Sequence, residues 1–185
     1  IEIPMAVATA LLYGIKMDTL DLMRGVSKED LEAFVALYAI ADISMINRIQ
    51  MNALQFEELK AYGNAIQHVK VYKQMGFSNI GFSCPDSLLG TLADFMLSVK
   101  ELDFAVVYAP REDGVKFSVR NETKYAHAGR IIEAVLEGIG VGGGHATMAG
   151  GYVSWEALKP WHEQWEQTLI NRFVDLFENQ FERQS

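Results

Sequence analysis

The spacing of hydrophobic and polar positions predicts helices in the first quarter of the chain. Residues 4–13 contain good helix formers and are apolar nearly all round, which predicts a buried helix that ends at Gly14. Ser27 is followed three residues later by Asp30, a variant of the capping box, so a second helix is expected to begin there. The apolar positions of this second helix recur at helical spacing: Leu31, Phe34, Val35 and Tyr38.

Patterns typical of strands and helices alternate from about residue 56 onward. Residues 56–65 predict either a helix or an irregular segment, whereas residues 69–72 and 79–82 predict short strands. A helix is expected to open at Pro85, because apolar side chains then recur at helical spacing. Together with the elements that follow, this alternation predicts an α/β fold in which helices cover a small mixed β-sheet, preceded by a helical segment.

A hairpin and an amphipathic tail complete the pattern. Residues 104–109 have the composition of a buried strand, the turn at 111–114 carries Asp-Gly, and residues 115–120 return with alternating polarity. Residues 125–137 predict a helix, and residues 152–153 a short strand. The tail predicts a helix that packs on the sheet or on a partner chain. Its large apolar side chains recur every four residues from Trp161: Trp165, Leu169, Phe173, Phe177 and Phe181.

Composition and charge exclude several classes of function. With 185 residues, half of them hydrophobic, the chain can bury a core, and its single cysteine excludes an internal disulfide and favours a cytoplasmic location. A formal charge of −8 argues against broad binding to duplex nucleic acid but permits a small anionic ligand. No membrane association is expected, since no apolar run approaches the length of a span. The chain begins without methionine, so we expect it to be part of a longer protein.

The segment that is richest in candidate chemistry is a glycine run. Gly142, Gly143 and Gly144 directly precede His145. Consecutive glycines let backbone N–H groups approach an anion without obstruction, and a histidine beside them can add a donor or a proton. The alternative is a flexible turn between a helix and a strand, with the histidine as an ordinary core residue.

The glycine run carries a resemblance to a known family. Residues 142–151, Gly-Gly-Gly-His-Ala-Thr-Met-Ala-Gly-Gly, resemble the GGGH signature of the DHHA1 domain. Residues 92–97, the Ser118-Val119-Arg120 strand and residues 128–131 stand upstream in the order of that family. The resemblance implies a DHHA1-like fold and a nucleotide-binding site. It assigns substrate binding to these residues: Ser118, Arg120, Gly142, Gly143, Gly144 and His145. The alternative for Arg120 is a surface salt bridge with Glu122 or Asp113.

A second match lies near the start of the chain. Gly14-Ile15-Lys16-Met17-Asp18-Thr19 resembles the closing motif of the DHH catalytic domain. The resemblance implies that Asp18 is a ligand of Mn²⁺ or Mg²⁺, for which a carboxylate is a suitable donor. Taken alone, an Asp-Thr pair is more often a helix N-cap. The Asp-x-Asp motif and the Asp-His-His triplet of that family do not occur in this sequence, so the metal site is expected to be incomplete and this chain alone inactive.

The two resemblances predict how the chain is organised and what it does. Residues 1–41 would be the end of a DHH catalytic domain, residues 42–55 a connector, and residues 56–185 a DHHA1 substrate-binding domain. The parent protein would be a metal-dependent phosphodiesterase or phosphatase that acts on short oligonucleotides, cyclic dinucleotides or nucleotide phosphates. Its expected partners are a nucleotide or short single-stranded nucleic acid and the upstream DHH domain. The apolar tail helix also makes a homodimer possible. The alternative is a non-catalytic nucleotide- or RNA-binding module, as in alanyl-tRNA synthetases.

Overall fold

The computed structural model describes residues 2–23, 25–51 and 54–182, without the side chains of residue 51 and of residues 180–182. The chain forms two compact units, Ile1–Phe56 and Glu57–Ser185. Among the helices within these described ranges, none is both long and apolar enough to cross a membrane.

The first unit contains the helices α1 (Met5–Asp18), α2 (Lys28–Tyr38) and α3 (Ile43–Met51). Helix α3 lies in the segment that the sequence predicts to be a connector. The small core of this unit is formed by one side chain or two from each helix: Ala8, Leu12, Leu37 and Ile46.

The start of α2 is confirmed, but the predicted end of α1 is wrong. Ser27 and Asp30 form the reciprocal hydrogen bonds of a capping box. Helix α1 continues through Gly14 to Asp18, since an isolated glycine only weakens a helix. The side chains of Val7 and Leu11 are about half exposed, so α1 is buried on one face and not all round.

The second unit contains six strands and the remaining helices. The strands are β1 (Lys70–Tyr72), β2 (Met75–Asn79), β3 (Phe104–Pro110), β4 (Gly114–Asn121), β5 (Gly140–Gly144) and β6 (Met148–Ser154). The α-helices are α4 (Leu59–Gln67), α5 (Asp86–Leu97), α6 (Ala128–Val135), α7 (Trp155–Leu158) and α8 (Trp165–Glu182). Short 3₁₀ segments occupy Phe56–Glu58 and Lys159–Gln164.

All six strands form one sheet in the order β1-β2-β3-β4-β6-β5. Strands β2 and β3 are parallel because α5 crosses over between them, whereas every other neighbouring pair is antiparallel. The β5–β6 hairpin turns back so that β6 lies beside β4 and β5 forms an edge. The predicted α/β fold with a small mixed sheet is therefore confirmed.

Helices cover the two faces of this sheet unequally. On one face, α6 and α8 pack over large side chains such as Phe77, Phe104 and Phe117, and Phe173 of α8 is 1% exposed. On the other face, α4 and α5 cover small side chains of β3, including Ala105 and Val107. The tail helix thus packs on the sheet, which is one of the two positions that its pattern predicts.

A polar cluster joins the start of α8 to the sheet. The Glu166 carboxylate accepts hydrogen bonds from Tyr108 Oη at 2.7 Å, Asn79 Nδ2 at 3.0 Å and Lys70 Nζ. Burial alone would raise the pKa of Glu166, but the hydrogen bonds from Lys70, Tyr108 and Asn79 outweigh it and lower that pKa. Burial, with the nearby carboxylate, raises the pKa of Tyr108.

Three predicted boundaries differ from the structure. Strand β2 lies upstream of the strand that the sequence predicts at 79–82, and it ends at Asn79. A tight turn at Lys73 pairs Tyr72 with Met75, so β2 already begins at Met75. Helix α6 is shorter than the predicted 125–137, since His127 caps it by accepting a hydrogen bond from Arg130 N. Helix α8 begins at Trp165 and not at Trp161, because His162, with a φ of 47°, interrupts the helix before it.

The glycine run lies in strand β5 and not in a flexible turn, which was the alternative.

Candidate functional site

The candidate site is built on β4, where alternation places Ser118 and Arg120 on the same face of the sheet. Val119 between them is fully buried on the opposite face, against α6 and α8. Ser118 is 8% exposed, and the side chain of Arg120 is 12% exposed. These two side chains therefore point toward the face that α5 covers only in part.

The guanidinium of Arg120 is held in a fixed orientation by α5. Its Nε and Nη2 donate to the two carboxylate oxygens of Asp94 at 2.7 and 3.2 Å, and its Nη1 donates to Ser118 Oγ at 3.1 Å. Gly90 leaves room for this arrangement, because a Cβ there would lie 3.0 Å from Nη2. A bidentate pair of this kind orients the guanidinium plane for a planar or tetrahedral anion.

The partner of Arg120 differs from the one that the sequence suggests. The guanidinium forms its salt bridge with Asp94 of α5 and donates its other hydrogen bonds to Ser118 and the Val119 carbonyl, and not to Glu122 or Asp113. Sequence analysis missed Asp94 as a site residue, although it lies within residues 92–97, which take part in the family resemblance.

Two of the three consecutive glycines at the end of β5, Gly142 and Gly144, lie where the backbone of α6 comes close to the strand. A Cβ on Gly142 would lie 2.9 Å from the Ile132 carbonyl oxygen of α6. A Cβ on Gly129 of α6 would lie 2.6 Å from the Gly144 carbonyl carbon. Helix and strand backbones thus approach each other directly, and Gly144 also has a φ of +148°, which side chains rarely adopt.

Gly143 faces the other way, toward the side of the sheet that carries Ser118 and Arg120. No described atom outside its chain neighbours lies within 4 Å of the position that a Cβ would take. The register pairs Gly143 with Gly150 and Gly150 with Ser118, so these three residues form one row across β5, β6 and β4. Two strand spacings of about 4.8 Å place Gly143 about 10 Å from Ser118 over a floor without side chains.

His145 lies at the end of the next row. Its N–H donates to the Met148 carbonyl at 2.7 Å, and Met148 pairs with Arg120 on β4. The residue is exposed, in contrast to the alternative in which it is an ordinary core histidine. The fold therefore brings Ser118, Arg120, Gly143 and His145 to one patch of the sheet, in which Gly143 and His145 are exposed and Ser118 and Arg120 are largely buried.

A buried asparagine holds the His145 turn in place. Asn121 is 1% exposed, and its Nδ2 donates to the carbonyls of Ala126 at 2.9 Å and of Ala146 and Thr123 at 3.1 Å. Its backbone N–H donates to the Thr147 carbonyl at 2.9 Å. Sequence analysis missed this residue, because its partners converge only in the folded chain. Asn121 thereby couples the end of β4 to the turn that carries His145.

Asp18 occupies a separate position in the first unit. It is the last residue of α1 and is exposed, and Thr19 caps the helix by donating from N and Oγ1 to the Ile15 carbonyl. The N-cap alternative is therefore wrong. A carboxylate at the negative end of a helix is unfavourable unless a cation lies near it.

The turn after Asp18 is strained. Leu20, Asp21 and Leu22 have φ values of 48°, 54° and 66°, in the left-handed region that costs about 1–2 kcal/mol for each such residue. A salt bridge of 2.8 Å between Lys16 and Asp21 stabilises this turn. Within the described part of the chain, no group of three or more metal-ligating side chains is present.

Comparison with known proteins decides the family. The sequence model of the DHHA1 domain matches residues 71–183, more than half of the chain. The chain belongs to the DHHA1 domain family. The predicted resemblance is thus confirmed, and this DHHA1 domain contains the whole sheet except the first residue of β1.

Proteins with longer chains are similar to this one. A Methanocaldococcus jannaschii protein named "Uncharacterized protein MJ1633" is 29% identical over 143 residues, which is 77% of this chain and 29% of the relative. This chain therefore spans less than a third of the length of that curated relative. An exopolyphosphatase-related protein from Bacteroides fragilis aligns with a TM-score of 0.70 and 21% identity, over 94% of this chain and 52% of its own. RecJ from Thermus thermophilus, solved in complex with Mn²⁺, aligns at 0.46 and 15% identity, over 92% of this chain and 24% of its own.

Proposed function

We propose that this chain is the substrate-binding part of a metal-dependent phosphodiesterase or phosphatase. Its substrates would be short oligonucleotides, cyclic dinucleotides or nucleotide phosphates. The proposal rests on the DHHA1 family match and on the patch formed by Ser118, Arg120, Gly143 and His145. In this patch, a guanidinium held by Asp94 lies next to Ser118, whose row continues through Gly150 to the exposed Gly143.

The arrangement of the patch suits a phosphate group. The Arg120 guanidinium donates to Asp94, Ser118 and the Val119 carbonyl, and its remaining Nη2 N–H can be donated to a phosphate oxygen without loss of this orientation. The glycines at 143 and 150 leave the backbone accessible, so a ribose or base can lie against it. His145, exposed at the end of its row, can donate to a phosphate or to a base edge.

The proposal includes a divalent metal in the full-length protein. Asp18 would hold Mn²⁺ or Mg²⁺ as one ligand among several, and its place at the negative end of α1 is suited to a cation. Such ions activate water and neutralise the charge of a leaving oxygen. Residues 1–41 would then be the end of the catalytic domain, residues 42–55 a connector and residues 56–185 the substrate-binding domain, with the upstream DHH domain as a partner.

Titration with a ligand panel tests the proposed binding role. We expect this 185-residue chain to bind one of three classes, short RNAs, nucleotide phosphates or cyclic dinucleotides. Arg120→Ala and His145→Ala should each weaken binding about tenfold or more, since each removes a charge-assisted or polar contact. His68→Ala is the matched control, because His68 is exposed at the end of α4, away from the patch on β4 and β5. Equal binding by all four proteins would contradict the assignment.

A non-catalytic nucleotide- or RNA-binding module is the second candidate function. One observation favours it, namely that the family match begins at residue 71 and does not reach Asp18. The sequence encoded upstream of Ile1 distinguishes the two candidates, because an Asp-His-His triplet supports the phosphoesterase and an aminoacylation domain supports the module. On either account, the purified chain with Mn²⁺ should release no product from a short RNA. Mn²⁺-dependent hydrolysis by this chain alone would contradict the prediction that its metal site is incomplete.

A further inference from the structure

Three consecutive backbone carbonyls hold the turn after β5 in place. The N–H of Gly129, at the start of α6, donates to the His145 carbonyl at 3.0 Å. The N–H of Asn121 donates to the Thr147 carbonyl at 2.9 Å. Between these two, the Ala146 carbonyl accepts a hydrogen bond from Asn121 Nδ2 at 3.1 Å. A turn that is fixed before a ligand arrives does not have to be ordered on binding, so it binds at a lower entropic cost.

The side-chain amide of Asn121 supports this turn in only one of its two orientations. Its Nδ2 must face carbonyls and its Oδ1 must face donors, because the amide nitrogen donates hydrogen bonds and the amide oxygen accepts them. Thr123 supplies both donors to Oδ1, its backbone N–H at 3.1 Å and its hydroxyl at 2.7 Å. Thr123 therefore fixes the orientation of the amide.

The hydroxyl of Thr123 is fixed in turn by Ala126. Its Oγ1 accepts a hydrogen bond from the N–H of Ala126 at 3.2 Å, which leaves its own hydrogen for Asn121 Oδ1. Ala126 is 5% exposed, and its carbonyl accepts a hydrogen bond from Asn121 Nδ2 at 2.9 Å. Residues 121–126 thus form a closed ring of hydrogen bonds through the side chains of Asn121 and Thr123.

We propose that Thr123 is a positioning residue for His145, which acts through the amide of Asn121. The hydroxyl of Thr123 holds this amide, and the amide holds the carbonyl of Ala146, which follows His145 directly. This inference rests on the proposed function, because it takes His145 as a residue that contacts the ligand.

Calorimetric titration of the full chain with the dinucleotide pApA, a short oligonucleotide, tests this role. Thr123→Val replaces the hydroxyl by a methyl group and should weaken binding about threefold to tenfold, the usual effect of one hydrogen bond. Thr123→Ser keeps the hydroxyl and should bind within about twofold of the wild type. Thr168→Val is the matched control and should leave the affinity unchanged. It removes a hydroxyl that donates to the Gln164 carbonyl from α8, which covers the opposite face of the sheet.

A double-mutant cycle distinguishes positioning of His145 from general support of the fold. If Thr123 acts through His145, Thr123→Val should weaken binding no further in a His145→Ala background. An equal loss of affinity in the two backgrounds, or no loss in either, would overturn the proposal. The proposed function stands in both cases if His145→Ala itself weakens binding.

The free chain provides a test that does not depend on the ligand. The ¹⁵N order parameters of the Ala146 and Thr147 amides should be close to the rigid value of about 0.85 in the wild type and in Thr123→Ser, and lower in Thr123→Val. Equal order parameters in all three proteins would overturn the proposal. If pApA does not bind, or if His145→Ala leaves its affinity unchanged, the proposed function fails, and the order parameters decide whether Thr123 holds the turn. Thermal unfolding of each variant establishes that it is folded under the conditions of the measurement.

Discussion

Replacement of Asn121 by alanine should lower the free energy of unfolding of the second unit by more than the loss of one hydrogen bond would. The side chain is 1% exposed and serves three carbonyls through Nδ2. Its Oδ1 also accepts hydrogen bonds from Thr123 N at 3.1 Å and Thr123 Oγ1 at 2.7 Å. The amide has two donor hydrogens, so Asn121→Ala removes the equivalent of about four hydrogen bonds. Each hydrogen bond contributes about 1 kcal/mol, and water can replace some of them where the backbone is only partly buried. We therefore expect the free energy of unfolding to fall by about 2–4 kcal/mol.

Urea denaturation of the variant and a matched control measures this loss. Asn64→Ala removes one hydrogen bond, from Nδ2 to the Ile80 carbonyl at 2.8 Å, and should cost about 1 kcal/mol. Because Asn121 holds the turn after His145, Asn121→Ala should also weaken ligand binding under conditions where the variant is fully folded, and Asn64→Ala should not. A destabilisation by Asn121→Ala no greater than that by Asn64→Ala would refute the reasoning.

Two further predictions concern packing and pH. Gly129→Ala should destabilise the chain, since the new Cβ would lie 2.6 Å from the Gly144 carbonyl carbon. Gly63→Ala is the control, because Gly63 lies in α4 with open space around it. In the same denaturation assay, Gly63→Ala should stabilise the chain by about 0.5–1 kcal/mol. The pKa of Glu166 is lowered in the folded chain, so its contribution to stability is complete above its ordinary value of 4.5 and is lost as the pH falls through the lower folded value. Glu166→Gln should therefore lose less stability than the wild type between pH 5 and pH 3, as measured by thermal unfolding; equal losses would contradict this assignment.

The elements that were predicted correctly have patterns that nearby residues determine. The β3–β4 hairpin follows from a buried strand, an Asp-Gly turn and an alternating return strand. Helix α5 follows from Pro85 and a helical apolar repeat, and α8 from large side chains every four residues, although α8 begins one repeat later than predicted, at Trp165. In each case the burial of one face is enough to specify the element.

The elements that were missed depend on partners distant in sequence. Strand β5 has few side chains to show a pattern, and only its pairing with β6 and the close approach of α6 make it a strand. The pairing of Arg120 with Asp94 depends on the position of α5 over β4, which the sequence does not show. The role of Asn121 is likewise visible only when three segments of backbone have met around its amide.

The most direct test of the proposed binding face is a titration of the ¹⁵N-labelled chain with pApA, followed by amide chemical shifts. The account predicts that the largest shift changes occur together at Ser118, Arg120, Gly143, Gly150 and His145, with smaller changes on α8. Shift changes confined to other elements, or none at saturating concentrations of the dinucleotide, would contradict the assignment of this face as the nucleotide site.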